Sequence, residues 1–92
     1  MARYPYQDTV RDGAGRIIAD ATVTVYDADT TNVATMYDAK SGGSVITSIT
    51  TNSSGYFIFY VDDGDYLSGD LFDIIVSKAG YDDQTYPDIL VF

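Results

Sequence analysis

The chain has 92 residues, 14 acidic against 5 basic, for a net charge of −9. Every acid is Asp, with no Glu, Cys, His or Trp, while Tyr occurs nine times. Ninety-two residues suffice for one domain with one modest core. Without His or Cys there is no Ser–His–Asp or Cys–His catalysis, no zinc site of the usual nitrogen and sulfur kind, and no disulfide to mark a redox compartment. The basic residues, scattered at Arg3, Arg11, Arg16, Lys40 and Lys78, form no phosphate-tracking patch, so no nucleic-acid partner is expected. The longest apolar run, residues 56–61, is far too short for a membrane span. The opening Met-Ala-Arg-Tyr-Pro lacks the apolar stretch of a signal peptide. A hydrophobic content of 46% argues for a globular chain rather than a disordered one.

Missing Glu and plentiful Thr, Tyr, Val and Ile give strand composition, with Asp suited to the turns between strands. Residues 6–11 read as a first strand, closed by Asp12-Gly13-Ala14-Gly15. In 21–25 the alternation is strict, with Ala21, Val23 and Val25 toward the core. Asp29-Thr30-Thr31-Asn32 turns into 33–38, and Lys40-Ser41-Gly42-Gly43 turns again into 45–51. Asn52-Ser53-Ser54-Gly55 leads into 56–61, the strongest strand, ended by Asp62-Asp63-Gly64-Asp65. Residues 71–77 follow, then 85–92, where Pro87 suggests an edge strand or a break. About seven short strands with regular turn signals predict an all-β fold, a single antiparallel β-sandwich over residues 10–92, with residues 1–9 as an N-terminal extension.

The motifs themselves are familiar. Val10-x-Asp12-x-x-Gly15-x-x-Ile18-x-x-Ala21-x-Val23-x-Val25 is followed by Thr51-x-x-x-Gly55-x-Phe57-x-Phe59, then Gly64-x-Tyr66, then Ile74-x-Val76-x-x-x-Gly80-Tyr81. This order resembles the carboxypeptidase regulatory-like, transthyretin-like β-sandwich superfamily, with its immunoglobulin-like layering, from about residue 10 to 91. Ala34-Thr35-Met36-Tyr37-Asp38, Gly42-Gly43 and the stretch from Thr50 to Val61 are similar to domains of phage tail fibres and other virion appendages. Residues 67–71 depart from the compact family pattern. The resemblance implies a non-catalytic spacer or interaction module in an extracellular or virion setting, with Tyr66 and Tyr81 as aromatic plugs whose hydroxyls reach solvent.

Several residues are candidates for function. Asp62, Asp63 and Asp65 form the densest acid cluster and offer oxygen ligands to Ca²⁺, although an EF-hand loop would need alternating ligands and a closing Glu. The competing reading is a hairpin turn in which Asp accepts backbone hydrogen bonds. A carboxylate pair for glycoside hydrolysis is disfavoured, since a short sandwich leaves little room for a cleft. With Phe57, Phe59 and Val61 facing inward, Tyr56, Ile58 and Tyr60 point outward, where polar residues would be usual. That stripe is open to three uses: cover by the chain's own loops, stacking on sugar rings, or docking of another subunit. Tyr4 and Tyr6, flanking Pro5, suit an extended segment that adds to a neighbour's sheet edge, and 45–49 lacks gatekeepers against such pairing. Asn52-Ser53-Ser54 fits a glycosylation sequon.

The expectation is therefore a homo-oligomer or filament subunit joined through Tyr4, Tyr6, Tyr56, Ile58 and Tyr60, with no catalytic residues and no cofactor required. The alternative is a carbohydrate-binding module stacking sugars on Tyr37, Tyr56 or Tyr60. The charge of −9 serves solubility, so screening salt should favour self-association.

Overall fold

The computed structural model describes residues 2–92, and these form strands and turns without a helix. Strands β1 (Arg3–Thr9), β6 (Tyr56–Asp62), β3 (Met36–Tyr37) and β4 (Val45–Ile46) make one antiparallel sheet in the order β1-β6-β3-β4. The second, also antiparallel, runs β5-β2-β7-β8, from Ile49–Thr50, Thr22–Asp27, Leu71–Ser77 and Gln84–Leu90. Eight strands replace the expected seven because 45–51 does not run straight. Val45–Ile46 pairs with β3, the chain turns at Thr47 and Ser48, and Ile49–Thr50 pairs with β2 in the other sheet. Ile46 and Ile49 both pack on the core. Three residues apart, they would face opposite ways on one straight strand, so the bend is what lets both pack inward, each half-buried. The crossing closes one flank and reduces the edge expected at 45–49 to two-residue pieces.

The described part of the expected extension, residues 2–9, is not outside the sandwich. Its residues 3–9 are β1, paired with β6 from Arg3 opposite Asp62 to Thr9 opposite Tyr56. Ala2 O accepts from Asp63 N at 2.9 Å and Val10 N donates to Gly55 O at 2.8 Å. Even-numbered backbone groups therefore face β6, and Pro5, which has no N–H to give, faces the free edge where none is needed. On the outer strand of the second sheet, Pro87 and Asp88 fall between the pairs Ile74–Tyr86 and Phe72–Ile89, opposite Asp73 alone. Pro87 thus marks both an edge strand and a bulge.

Between the sheets lies one shared core, as in a sandwich. Val23 and Val25 of β2, Met36 of β3, Phe57, Phe59 and Val61 of β6, and Phe72, Ile74 and Val76 of β7 are all buried. The period-2 alternation of β2, β6 and β7 is what places them there, each large side chain contributing about 1.5–3 kcal/mol by leaving water. Val10, Ile18, Ala21 and Ala34 complete the core. One polar side chain is buried with them: Thr51 Oγ1 accepts from Ala21 N and donates to Ile18 O, each at 2.9 Å. Gly55 has φ of 72°, and a Cβ there would collide with Ile17 and lie 3.0 Å from Val10 O.

The turns explain the choice of Asp over Glu. Asp8, Asp12, Asp38, Asp62, Asp63, Asp70 and Asp73 all accept hydrogen bonds from backbone N–H groups. The non-glycine residues with positive φ, Asp20, Asp29 and Asp88, are Asp as well. Its short carboxylate reaches nearby amides and tolerates the left-handed region, and a longer Glu does neither as well. Asp12 accepts from Ala14 N and Arg16 N at 2.9 Å each, and the Arg16 amide bond is the main reason its carboxyl is held below the usual range.

Candidate functional site

The five residues expected to share one assembly surface divide between two faces. Tyr4 stands opposite Val61 and Tyr6 opposite Phe59, so both point inward with the core side of β6. Tyr6 tilts against Phe57 and Phe59 at ring distances of 6.3 and 5.6 Å, and Tyr4 stacks on Phe92 at 4.4 Å. Burial pushes the Tyr6 phenol up, with Asp8 adding to the effect. Tyr56, Ile58 and Tyr60 do point outward, each half-buried. Side chains directly opposite in a sheet share a face, and that rule, applied to the β1–β6 register, separates the two groups.

The outward face is broader than the stripe on β6. The register lines up Pro5, Tyr60, Tyr37 and Val45 across four strands, with Val45 61% exposed. Arg3 lies over this face. Its guanidinium sits 3.7 Å from the Tyr37 ring centroid, Nε is 3.5 Å from Asp62 Oδ2, and another of its nitrogens donates to Ala39 O at 2.9 Å and Gly42 O at 2.6 Å. Tyr37 donates its hydroxyl to Asp65 at 3.2 Å, and Tyr56 donates to Gln7 Oε1 at 2.7 Å. Loss of hydration, then the Asp65 charge, raises the Tyr37 phenol above its ordinary value. Arg3 went unrecognised in the sequence because its partners lie up to 59 positions away.

Tyr66 only partly matches the expected plug. Its ring meets Phe72 edge-on at 4.8 Å, but its hydroxyl does not run to solvent. It accepts from Thr35 N at 2.8 Å and donates to Asp27 at 2.9 Å. Burial is the main cause of its raised phenol. Tyr81 plugs nothing: it is 45% exposed, beside a surface cleft of ≈ 630 Å³ shared with Arg11, Asp82 and Asp83.

The proposed Ca²⁺ ligands have separate tasks. Asp62 accepts from Gly64 N at 2.8 Å and faces Arg3, Asp63 accepts from Ala2 N at 3.0 Å, and Asp65 takes the Tyr37 hydroxyl. Among the described residues no group of three or more Asp, Glu, His or Cys side chains is placed to hold a metal ion. Asn52 accepts from Ser54 N at 2.9 Å and Tyr56 N at 3.1 Å, shaping the turn before β6.

Charge is unevenly divided along the strands. Eight acids gather at or near the end where β6 finishes and β7 begins: Asp27 closing β2 and Asp29 after it, Asp62 closing β6 with Asp63 and Asp65 after it, Asp70 and Asp73 around the start of β7, and Asp88 on β8. Arg3 is held there by Asp62 and Tyr37, and Lys40 stands on the loop whose Ala39 and Gly42 carbonyls take the Arg3 guanidinium, so the eight acids outnumber the cations near them. Toward the other end Asp8, Asp12, Asp20, Asp82 and Asp83 stand with Arg11, Arg16 and Lys78. The acidic end also carries exposed apolar side chains, with Leu67 at 76%, Leu90 at 56%, and Leu71 opposite Leu90. Comparison of the chain with protein-family models, curated proteins and solved structures finds no match.

Proposed function

We propose that the chain is a non-catalytic structural module, a transthyretin-like sandwich serving as a subunit or domain of an extracellular fibre, filament or virion appendage. The observation that carries this reading is the outward face of the first sheet, where Tyr56, Ile58 and Tyr60 are joined by Pro5, Tyr37 and Val45. A flat, aromatic sheet exterior of this kind suits contact with another protein surface better than a small substrate, which would want a concave site. Assembly by this face differs from strand addition at β1, which the chain's own pairing and Pro5 discourage. Saccharide stacking on the same face is the weaker reading, since Arg3 covers one side of the Tyr37 ring.

The test is sedimentation velocity of the wild type and of an Ile58→Thr/Tyr60→Thr variant, which keeps residues suited to strands. The wild type should associate, more strongly as salt screens its charge of −9. The variant should stay monomeric with its fold intact. A wild type that is monomeric at all salt concentrations refutes the reading.

A further inference from the structure

We propose that the acidic end is a second docking surface, whose partner is a protein presenting apolar side chains within a ring of Lys or Arg. Two observations meet there. The first is apolar: Tyr4, Leu67 and Phe92 border a hollow of ≈ 420 Å³, and Leu71 borders the adjoining one of ≈ 330 Å³, the two sharing Tyr66. The second is electrostatic: eight acids gather at this end against Arg3 and the neighbouring Lys40, and Arg3 is already engaged by Asp62, Tyr37 and the carbonyls of Ala39 and Gly42.

The loop that presents Leu67 is held in place before any partner arrives. Leu67 N donates to Asp70 Oδ2 at 2.8 Å, Asp70 N to Leu67 O at 3.1 Å, and Gly69 N to Phe92 O at 2.9 Å. A leucine fixed in the open costs little further ordering on binding, which is what an anchor residue needs. Charge decides the occupant. A second copy would bring its own net −9, and even its less acidic end has five acids to three cations. A basic rim answers the eight acids and speeds encounter, while the apolar centre supplies the hold.

This surface meets the outward aromatic face at Asp62 and Asp65, which hold Arg3 and the Tyr37 hydroxyl, but salt distinguishes the two: screening weakens docking here and strengthens association there. The probe is a labelled amphipathic helical peptide of Leu and Lys, with a Gly–Lys peptide of equal length and charge as reference, titrated by fluorescence anisotropy. Leu67→Ser/Leu90→Ser should weaken Leu–Lys binding about tenfold, as loss of a central apolar anchor does, and leave Gly–Lys binding unchanged. Asp29→Asn/Asp65→Asn should weaken it more than Asp82→Asn/Asp83→Asn, an equal charge change at the far end. Tyr60→Thr should have no effect. The proposal is overturned if the leucine variant binds within about twofold of wild type, if the two charge variants lose affinity equally, or if the wild type alone forms a dimer that Leu67→Ser abolishes.

Discussion

Replacing Thr51 with valine tests how the turn before β2 is fastened to the second sheet. Valine keeps the shape and stays buried, but it removes the hydroxyl that accepts from Ala21 N and donates to Ile18 O. Each group left unpaired in the interior costs about 1–3 kcal/mol. The methyl that replaces the hydroxyl offsets about 0.8 kcal/mol. The net loss is about 1–5 kcal/mol, a large share of the roughly 5–14 kcal/mol expected for a chain of this size. For a domain this small each kcal/mol lost lowers the melting temperature by about 4–8 °C. Thr51→Ser keeps both hydrogen bonds and gives up one methyl, so it should cost only about 1 kcal/mol. Urea unfolding followed by circular dichroism would rank the three proteins. If Thr51→Val falls within about 0.5 kcal/mol of wild type, or proves more stable than Thr51→Ser, the two hydrogen bonds do not hold the turn.

Gly55→Ala combines a positive φ with a Cβ that runs into Ile17 and crowds Val10 O, so a loss of more than about 2 kcal/mol is expected in the same unfolding assay; a neutral alanine would refute the close approach. The raised phenol of Tyr66 means the folded chain holds that proton more tightly than the unfolded one. Its contribution to stability is therefore complete below the ordinary tyrosine value of about 10 and is lost as pH climbs through the folded value. Tyr6, Tyr37 and Tyr86 shift in the same direction. Unfolding measured from about pH 8 to 12, the range that brackets a tyrosine raised above its ordinary value, should show a shallower alkaline decline for Tyr66→Phe than for wild type, from a lower neutral starting point. Parallel declines would exclude Tyr66 as a source of the slope.

Legibility differed from element to element for physical reasons. β2, β6 and β7 were plain because each buries one face, and burial on one face writes itself as strict alternation. The 45–51 stretch misled because alternation says nothing of a bend, although the odd spacing of Ile46 and Ile49 was a sign of it. Residues 1–9 read as an extension because they precede the motifs that carry the family resemblance, and only the pairing partner shows that residues 3–9 form a strand with the donor Pro5 lacks on its free side. The outward direction of Tyr56, Ile58 and Tyr60 followed from β6 alone. Tyr4 and Tyr6 could not be assigned a face before the β1–β6 register was known. Arg3 over Tyr37 and the acidic end both join residues far apart in sequence, which composition and local pattern do not record. The local role of Asp8, Asp12, Asp38, Asp62 and Asp70 was visible from the start, since each binds an amide close by in sequence, whereas the distant amides that Asp63 and Asp73 bind were not.

The positions of residues 4 and 92 bear on how the domain answers a pull. Their rings stack at 4.4 Å, at the same end of the molecule, beside the two outer strands of opposite sheets. Tension applied through these two residues acts across the strands rather than along them. It peels β1 from β6 starting at Arg3 and Asp62, and β8 from β7 starting at Leu90 and Leu71, so the hydrogen-bonded pairs break in succession instead of sharing the strain. Pulled through residues 4 and 92, the sandwich unzips at low force. The proposed fibre would then have to carry tension sideways, from the face of one module to the face of the next.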